Sequence, residues 1–136
     1  MTDTDDLAVR YRDAVERQDL TTLATLYHPD VLLDAHVPNW RFQVIGRTEV
    51  ARFTGGALPG PGRFERFDAE PTADGDLLVQ FQWRQHSEVR TGALARQLHV
   101  LRVEAGRIVA QTLFCAGVWD PELQQQMATD APLVQP

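Results

Sequence analysis

From Asp6 to Gln18 the positions Leu7, Tyr11, Ala14, Val15 and Gln18 recur every three or four residues, with Arg10, Arg12, Asp13, Glu16 and Arg17 between them. That period places one stripe of a helix against a core and leaves the charged face to water. Asp19 offers a side-chain acceptor to the free N–H groups of a second helix, whose stripe Leu20, Leu23, Ala24 and Tyr27 stops at Pro29. Two antiparallel helices joined by a tight corner are predicted. The pattern then shortens. Branched and apolar runs from Val31 to Val37 and from Trp40 to Ile45, separated by Pro38-Asn39, predict two strands. A short helix follows over Glu49–Phe53, capped by Thr48 and ended by Gly55 and Gly56. Four glycines and two prolines between Gly55 and Gly62 predict a loop.

In the second half Val79, Phe81 and Trp83 alternate with Gln80, Gln82 and Arg84, the period of a strand with one dry and one wet face. Leu94 to Glu104 and Arg107 to Val118 read as two further strands joined at Ala105-Gly106. Asp120, Pro121 and Glu122 start a short C-terminal helix, and 131–136 is expected to be a flexible tail. The reading is of a single domain over 1–136, without repeats.

Charge and composition narrow the partners. A net charge of -6 argues against nucleic acid, whose affinity comes from clustered Lys and Arg. No stretch approaches the roughly 18 apolar residues of a membrane span, and the start of the chain is acidic rather than basic and apolar, so no membrane association and a cytoplasmic location are expected. The single cysteine, Cys115, leaves stability to a packed core.

The helix–corner–helix Tyr11…Asp19-Leu20…Leu23…Leu26-Tyr27, the turn His28-Pro29-Asp30-Val31, the helix start Gly46-Arg47…Val50…Phe53 and the hairpin Val100-Leu101-Arg102-Val103…Gly106-Arg107-Ile108 follow one another in an order that resembles the nuclear-transport-factor-2-like superfamily. That superfamily includes ketosteroid isomerases, limonene-epoxide hydrolases and SnoaL-like polyketide cyclases. The resemblance implies an α+β cone: a strongly curved antiparallel sheet wrapped over three helices, with one internal pocket. It also implies a homodimer through the outer sheet face, and chemistry without a cofactor. In the isomerase pattern a tyrosine on the first helix and a protonated acid on a late strand stabilise an enolate, while an aspartate on the first strand moves the proton. Tyr11 looks like that tyrosine. The base position falls at or next to Ala35, between Asp34 and His36, and the acid position falls near Arg96. The Asp-Arg-Asp set of the hydrolases is not matched.

The candidate catalytic residues are therefore Tyr11, Asp34, His36 and Arg96. Asp34 and His36 lie two apart on a strand and point the same way, into the cavity or out of it according to the strand's face. They are too few for a metal site, and none is expected. Alternation groups Arg96 with Leu98 and Val100 on the expected dry face, where a guanidinium needs an anion: an internal acid, or a carboxylate or enolate of a ligand. Trp40, Phe53, Phe81 and Trp83, with Leu98, Leu113 and Cys115, are candidates for the wall around an apolar small molecule. Gln80, Gln82, Arg84, His86, Gln97 and His99 are expected on the opposite, polar face. Proton transfer next to a carbonyl, as isomerisation or intramolecular cyclisation of a polyketide-like substrate, is the function this implies. A non-catalytic binding protein using the same cavity and an interaction module built on the outer sheet are the alternatives.

Overall fold

The computed structural model describes residues 3–88 and 92–135. Two helices, α1 (Asp3–Glu16) and α2 (Leu20–Thr25), precede the first two strands, β1 (Tyr27–Val37) and β2 (Trp40–Ile45), and a third helix, α3 (Arg47–Gly56), follows them. The strands β3 (Gly62–Pro71), β4 (Leu77–Gln85), β5 (Leu94–Glu104) and β6 (Arg107–Trp119) follow, and α4 (Pro121–Asp130) ends the described chain. They form an α+β domain with one curved, unclosed six-stranded sheet in the order β2-β1-β6-β5-β4-β3. The sheet is not wholly antiparallel, as the resemblance implied: β1 and β6 run parallel. They are far apart in the chain, so no hairpin forces them to oppose.

Local chemistry sets the corners. Asp19 caps α2 by accepting from the Thr22 N–H at 3.1 Å, as its position predicts. Thr48 does not cap α3. The N-cap is Gly46, with φ of +104° and no side-chain bond, so a residue without Cβ, rather than a hydroxyl, sets the turn from β2 into the helix. Tyr27, expected as the last residue of the second helical stripe, instead opens β1, and Pro29 lies within that strand. The pairing with β6 shifts register between Tyr27 and Leu32, which leaves Pro29 without a ladder bond to donate.

The segment Gly62–Pro71, with no assignment from its pattern, is β3. A register shift between Phe64 and Arg66 breaks its alternation, and the Phe64 N–H is taken up by Glu16 Oε2 of α1 at 2.9 Å instead.

Helices α1 to α3 supply Leu7, Tyr11, Val15, Leu23 and Val50 to one buried core with Leu33, Leu77, Val79, Leu101, Ile108 and Leu113 of the sheet. Each such aliphatic side chain, fully buried, contributes about 1.5–3 kcal/mol. Among the buried residues, Phe81 and Gln97 line one surface depression of about 420 Å3. Tyr11, Tyr27, Leu33, His99, Gln111 and Leu113 are at most 1% exposed, and none of them lines the depressions of about 400 to 520 Å3 around the molecule.

The phase of β5 is opposite to the expectation. Ala95, Gln97, His99 and Leu101 face the core, while Arg96, Leu98 and Val100 face outward. The outward row is the more apolar in sequence, but the neighbouring strands decide. Val79 and Phe81 of β4 pair with His99 and Gln97, and His99 pairs on its other side with Leu113 of β6. A sheet has one concave face, so partners across a ladder share it.

Candidate active site

Inside this shell runs a file of polar side chains. Gln97 Nε2 donates to Cys115 Sγ at 3.6 Å, which turns Gln97 Oε1 toward His99 Nε2 at 2.8 Å. Nε2 of the imidazole then carries the hydrogen and Nδ1 is left as an acceptor, 3.1 Å from the Tyr11 hydroxyl. Burial pushes the His99 pKa down to about 3, so the ring is neutral, as that tautomer requires. The same burial holds the Tyr11 hydroxyl well above its ordinary range, with the Tyr27 hydroxyl adding to the shift.

Tyr27 continues the file on the other side. Its hydroxyl donates to Gln111 Oε1 at 2.6 Å, and Gln111 Nε2 donates to Thr54 Oγ1 at 2.9 Å. Two helices and three strands thus contribute: Tyr11 from α1, Thr54 from α3, Tyr27 from β1, Gln97 and His99 from β5, and Gln111 and the half-buried Cys115 from β6. Among the described residues no buried side-chain nitrogen or oxygen lacks a partner.

Aromatic rings enclose the file. Phe81 lies 5.3 Å from the His99 ring, and Phe64 touches Phe67, Phe81 and Trp83 at centroid separations of 5.0 to 5.2 Å. Phe64 and Phe67 are half-buried, with the Arg12 guanidinium over Phe67 at 5.8 Å, so this cluster connects the interior to the surface between α1 and β3.

The four residues singled out from sequence do not meet. Tyr11 is inside; Asp34, His36 and Arg96 are on the convex face. Asp34 accepts two hydrogen bonds from Arg41, both at 2.9 Å, and these hold its carboxyl down to about pKa 2. His36 Nε2 lies 3.4 Å from Asp34 Oδ2, and its ring stacks on Phe114 at 4.6 Å. This is the outward arrangement that follows when Val31, Leu33 and Ala35 face the core. Arg96 is exposed.

Of the expected wall, Phe81, Trp83 and Leu113 are buried in the core, and Phe53 is half-buried against Phe42 at 4.9 Å. Cys115 touches the file through Gln97. Leu98 is on the convex face, and Trp40, at the tip of the β1–β2 hairpin, is 71% exposed.

His99 and Gln97, read from sequence as surface residues, are the interior partners of Tyr11. The signal was present in the clear alternation of Val79, Phe81 and Trp83: phasing the next strand from β4 rather than from its own apolar count places Gln97 and His99 inside.

Comparison with known proteins agrees with this architecture. No curated protein matches the chain in sequence. A protein from Catenulispora acidiphila with a ketosteroid isomerase-like fold, solved in complex with trimethylamine, superposes with a TM-score of 0.65 at 15% identity, over 83% of this chain and 87% of that one. A candidate polyketide cyclase from Pseudomonas putida gives 0.62 at 19% identity, over 83% and 90%. A candidate ketosteroid isomerase from Kribbella flavida gives 0.61 at 21% identity, over 88% and 82%. These similarities concern the fold. The family model of the SnoaL-like domain matches residues 8–111, from within α1 to the buried Gln111 of β6, and the chain belongs to that family.

Proposed function

We propose that this protein is a cofactor-independent enzyme that moves a proton next to a carbonyl of an apolar, polyketide-like small molecule, with Tyr11, His99 and Gln97 as its reacting centre. The observation that carries this reading is the neutral imidazole of His99, buried beside Phe81 and held between a tyrosine hydroxyl and an amide oxygen. A substrate carbonyl that takes the Tyr11 hydrogen bond releases His99 Nδ1, whose lone pair then accepts the adjacent carbon-bound proton. Gln97 Oε1 stabilises the imidazolium through Nε2–H, and Tyr11 stabilises the enolate. The substrate reaches the file by displacing the half-buried Phe64 and Phe67. The names of the Pseudomonas and Kribbella proteins support this class of chemistry.

The test is exchange of carbon-bound protons in deuterated water for a panel of polyketide-like ketones, followed by NMR. Wild-type protein is expected to exchange at least one member, and Tyr11→Phe and His99→Gln to slow it by about 100-fold, the lower range for loss of a positioned acid or base. Absence of exchange from every ketone by the wild type would remove the reading.

A second reading is a non-catalytic binding protein, favoured by the fact that the polar file satisfies its own hydrogen bonds. A ketone that raises the melting temperature without exchanging its protons would select it.

Assembly belongs to the same proposal. The convex face exposes Ile45, Leu78 and Phe114 at 70%, 37% and 44%, alongside Leu98, and we assign it to a homodimer working in the cytoplasm with a small-molecule ligand and no nucleic acid or membrane. No helix among the described residues is long and apolar enough to cross a membrane.

A further inference from the structure

Beside the sheet surface assigned to the homodimer, α4 covers a pocket that the interior chemistry does not use. Among the described residues, the Gln124 side chain ties helix α4 to the sheet. Gln124 Nε2 donates to the carbonyls of Gly92 and Trp119 at 3.0 and 2.9 Å, and Gln124 Oε1 accepts from Arg84 Nη1 at 2.6 Å. Asp120 fixes the start of the helix by accepting from the Leu123 N–H at 2.8 Å. Yet no residue of α4 is buried. The helix is held off the sheet rather than packed onto it, and a space of about 430 Å3 remains beneath it, lined chiefly by Leu94, Trp119, Met127, Ala128 and Leu133 together with Arg96.

That volume falls within the ~300–1,000 Å3 typical of small-molecule pockets. Apart from Arg96 and Gln124 the lining side chains are apolar, and no carboxylate is among them. Among the described residues no acidic side chain forms an ion pair with Arg96. A planar guanidinium at the edge of a hydrocarbon slot accepts a carboxylate through two parallel hydrogen bonds. The net charge of -6 opposes any anion at long range, but that field is screened beyond about 8 Å at physiological salt, so the contact with Arg96 decides.

We infer that the space under α4 binds an amphipathic monocarboxylate, its hydrocarbon chain lying between Trp119 and the Met127–Ala128 face of the helix and its carboxylate on Arg96. Arg96 thereby serves the ligand class its sequence position suggested, but on the outside of the sheet.

The experiment is isothermal titration of the full chain with decanoate, decanol and decyltrimethylammonium below their aggregation limits. Decanoate is expected to bind more tightly than the other two. Arg96→Gln, a surface change, is expected to weaken decanoate at least tenfold and leave decanol unaltered. Ala128→Trp, which fills the slot from an exposed position, is expected to weaken both. The inference is overturned if the wild type does not bind decanoate, if Arg96→Gln binds it as tightly as the wild type, or if the cationic amphiphile binds as well as the anionic one. Sedimentation velocity on the same samples supplies the remaining outcome. If either variant changes the association state in place of decanoate affinity, the slot belongs to a contact between copies and the inference falls.

Discussion

The Tyr11 hydroxyl and His99 Nδ1 are 88 residues apart in the chain and 3.1 Å apart in the fold. Neither has a second route to water, since both side chains are fully buried. Their bond therefore joins the first helix to the middle of the sheet, and its loss leaves a partner stranded. Tyr11→Phe orphans Nδ1, and His99→Leu orphans Gln97 Oε1 and removes the imidazole partner of the Tyr11 hydroxyl. Each single change is expected to cost about 1–3 kcal/mol, the penalty for a buried polar group left unpaired. The double variant should cost less than the two added together, with a coupling of at least ~0.5 kcal/mol by urea denaturation. Strict additivity would show that the pair contributes no interaction energy.

His99 also makes stability depend on pH. Its folded-state pKa is lowered to about 3 by burial, against roughly 6.5 in the unfolded chain. Between those values the unfolded state binds the extra proton, so stability is complete above about pH 6.5 and falls as the solution is acidified toward pH 3. The slope from this one group approaches ~1.4 kcal/mol per pH unit in the middle of that window. Subtracting the profile of His99→Gln from that of the wild type, both from chemical denaturation at successive pH values, isolates it. A difference that stays flat between pH 6 and 4 would contradict a buried neutral ring.

On the convex face the dependence has the same sign but a lower pH window. Arg41 lowers the Asp34 pKa to about 2, so the stabilisation it gives is present above the unfolded aspartate value and disappears as pH falls through about 2. NMR titration of the Asp34 carboxyl is expected to show this low midpoint in the wild type. In Arg41→Gln the midpoint should return toward the ordinary aspartate value. An unmoved midpoint would mean that some other group holds the carboxylate.

Gly46 tests the backbone alone. A Cβ added there would meet no atom within 4 Å, yet φ is +104°. Gly46→Ala is thus expected to destabilise by ~1–3 kcal/mol through conformational strain, without a steric clash. A neutral result in thermal or urea unfolding would show that the β2–α3 corner relaxes freely.

Periodicity was most legible where a single environment governs a whole segment. The stripe of α1, the alternation of β4 and the turn Ala105-Gly106 between β5 and β6 could be read directly, because each satisfies one simple geometric repeat. β3 could not be read. Its bulge beside Phe64 interrupts the period of two, and the missing ladder bond is replaced by Glu16, a residue 48 positions away. The site suffered from a similar non-local dependence. The inward side of Tyr11 could be read from the stripe of α1, but its partner His99 could not. β5 offers two alternating rows, each containing both polar and apolar side chains, and the choice between them is made by β4 and β6 rather than by β5 itself. Arg96 was placed on the wrong side by that one-residue phase.

The parallel seam between β1 and β6 has a consequence for the order in which the molecule is made. Tyr27 pairs with Ile108 and His36 with Phe114, so the first long strand to leave a ribosome has one of its two neighbours only after nearly the whole sheet has been synthesised. Until then β1 and β2 form a hairpin with an open edge. Contacts between such distant segments carry a large loop-closure cost, which slows folding. The sheet is therefore completed by β6, arriving as a wedge that joins its two halves, and truncations before that strand should leave an aggregation-prone ribbon in place of a smaller folded protein.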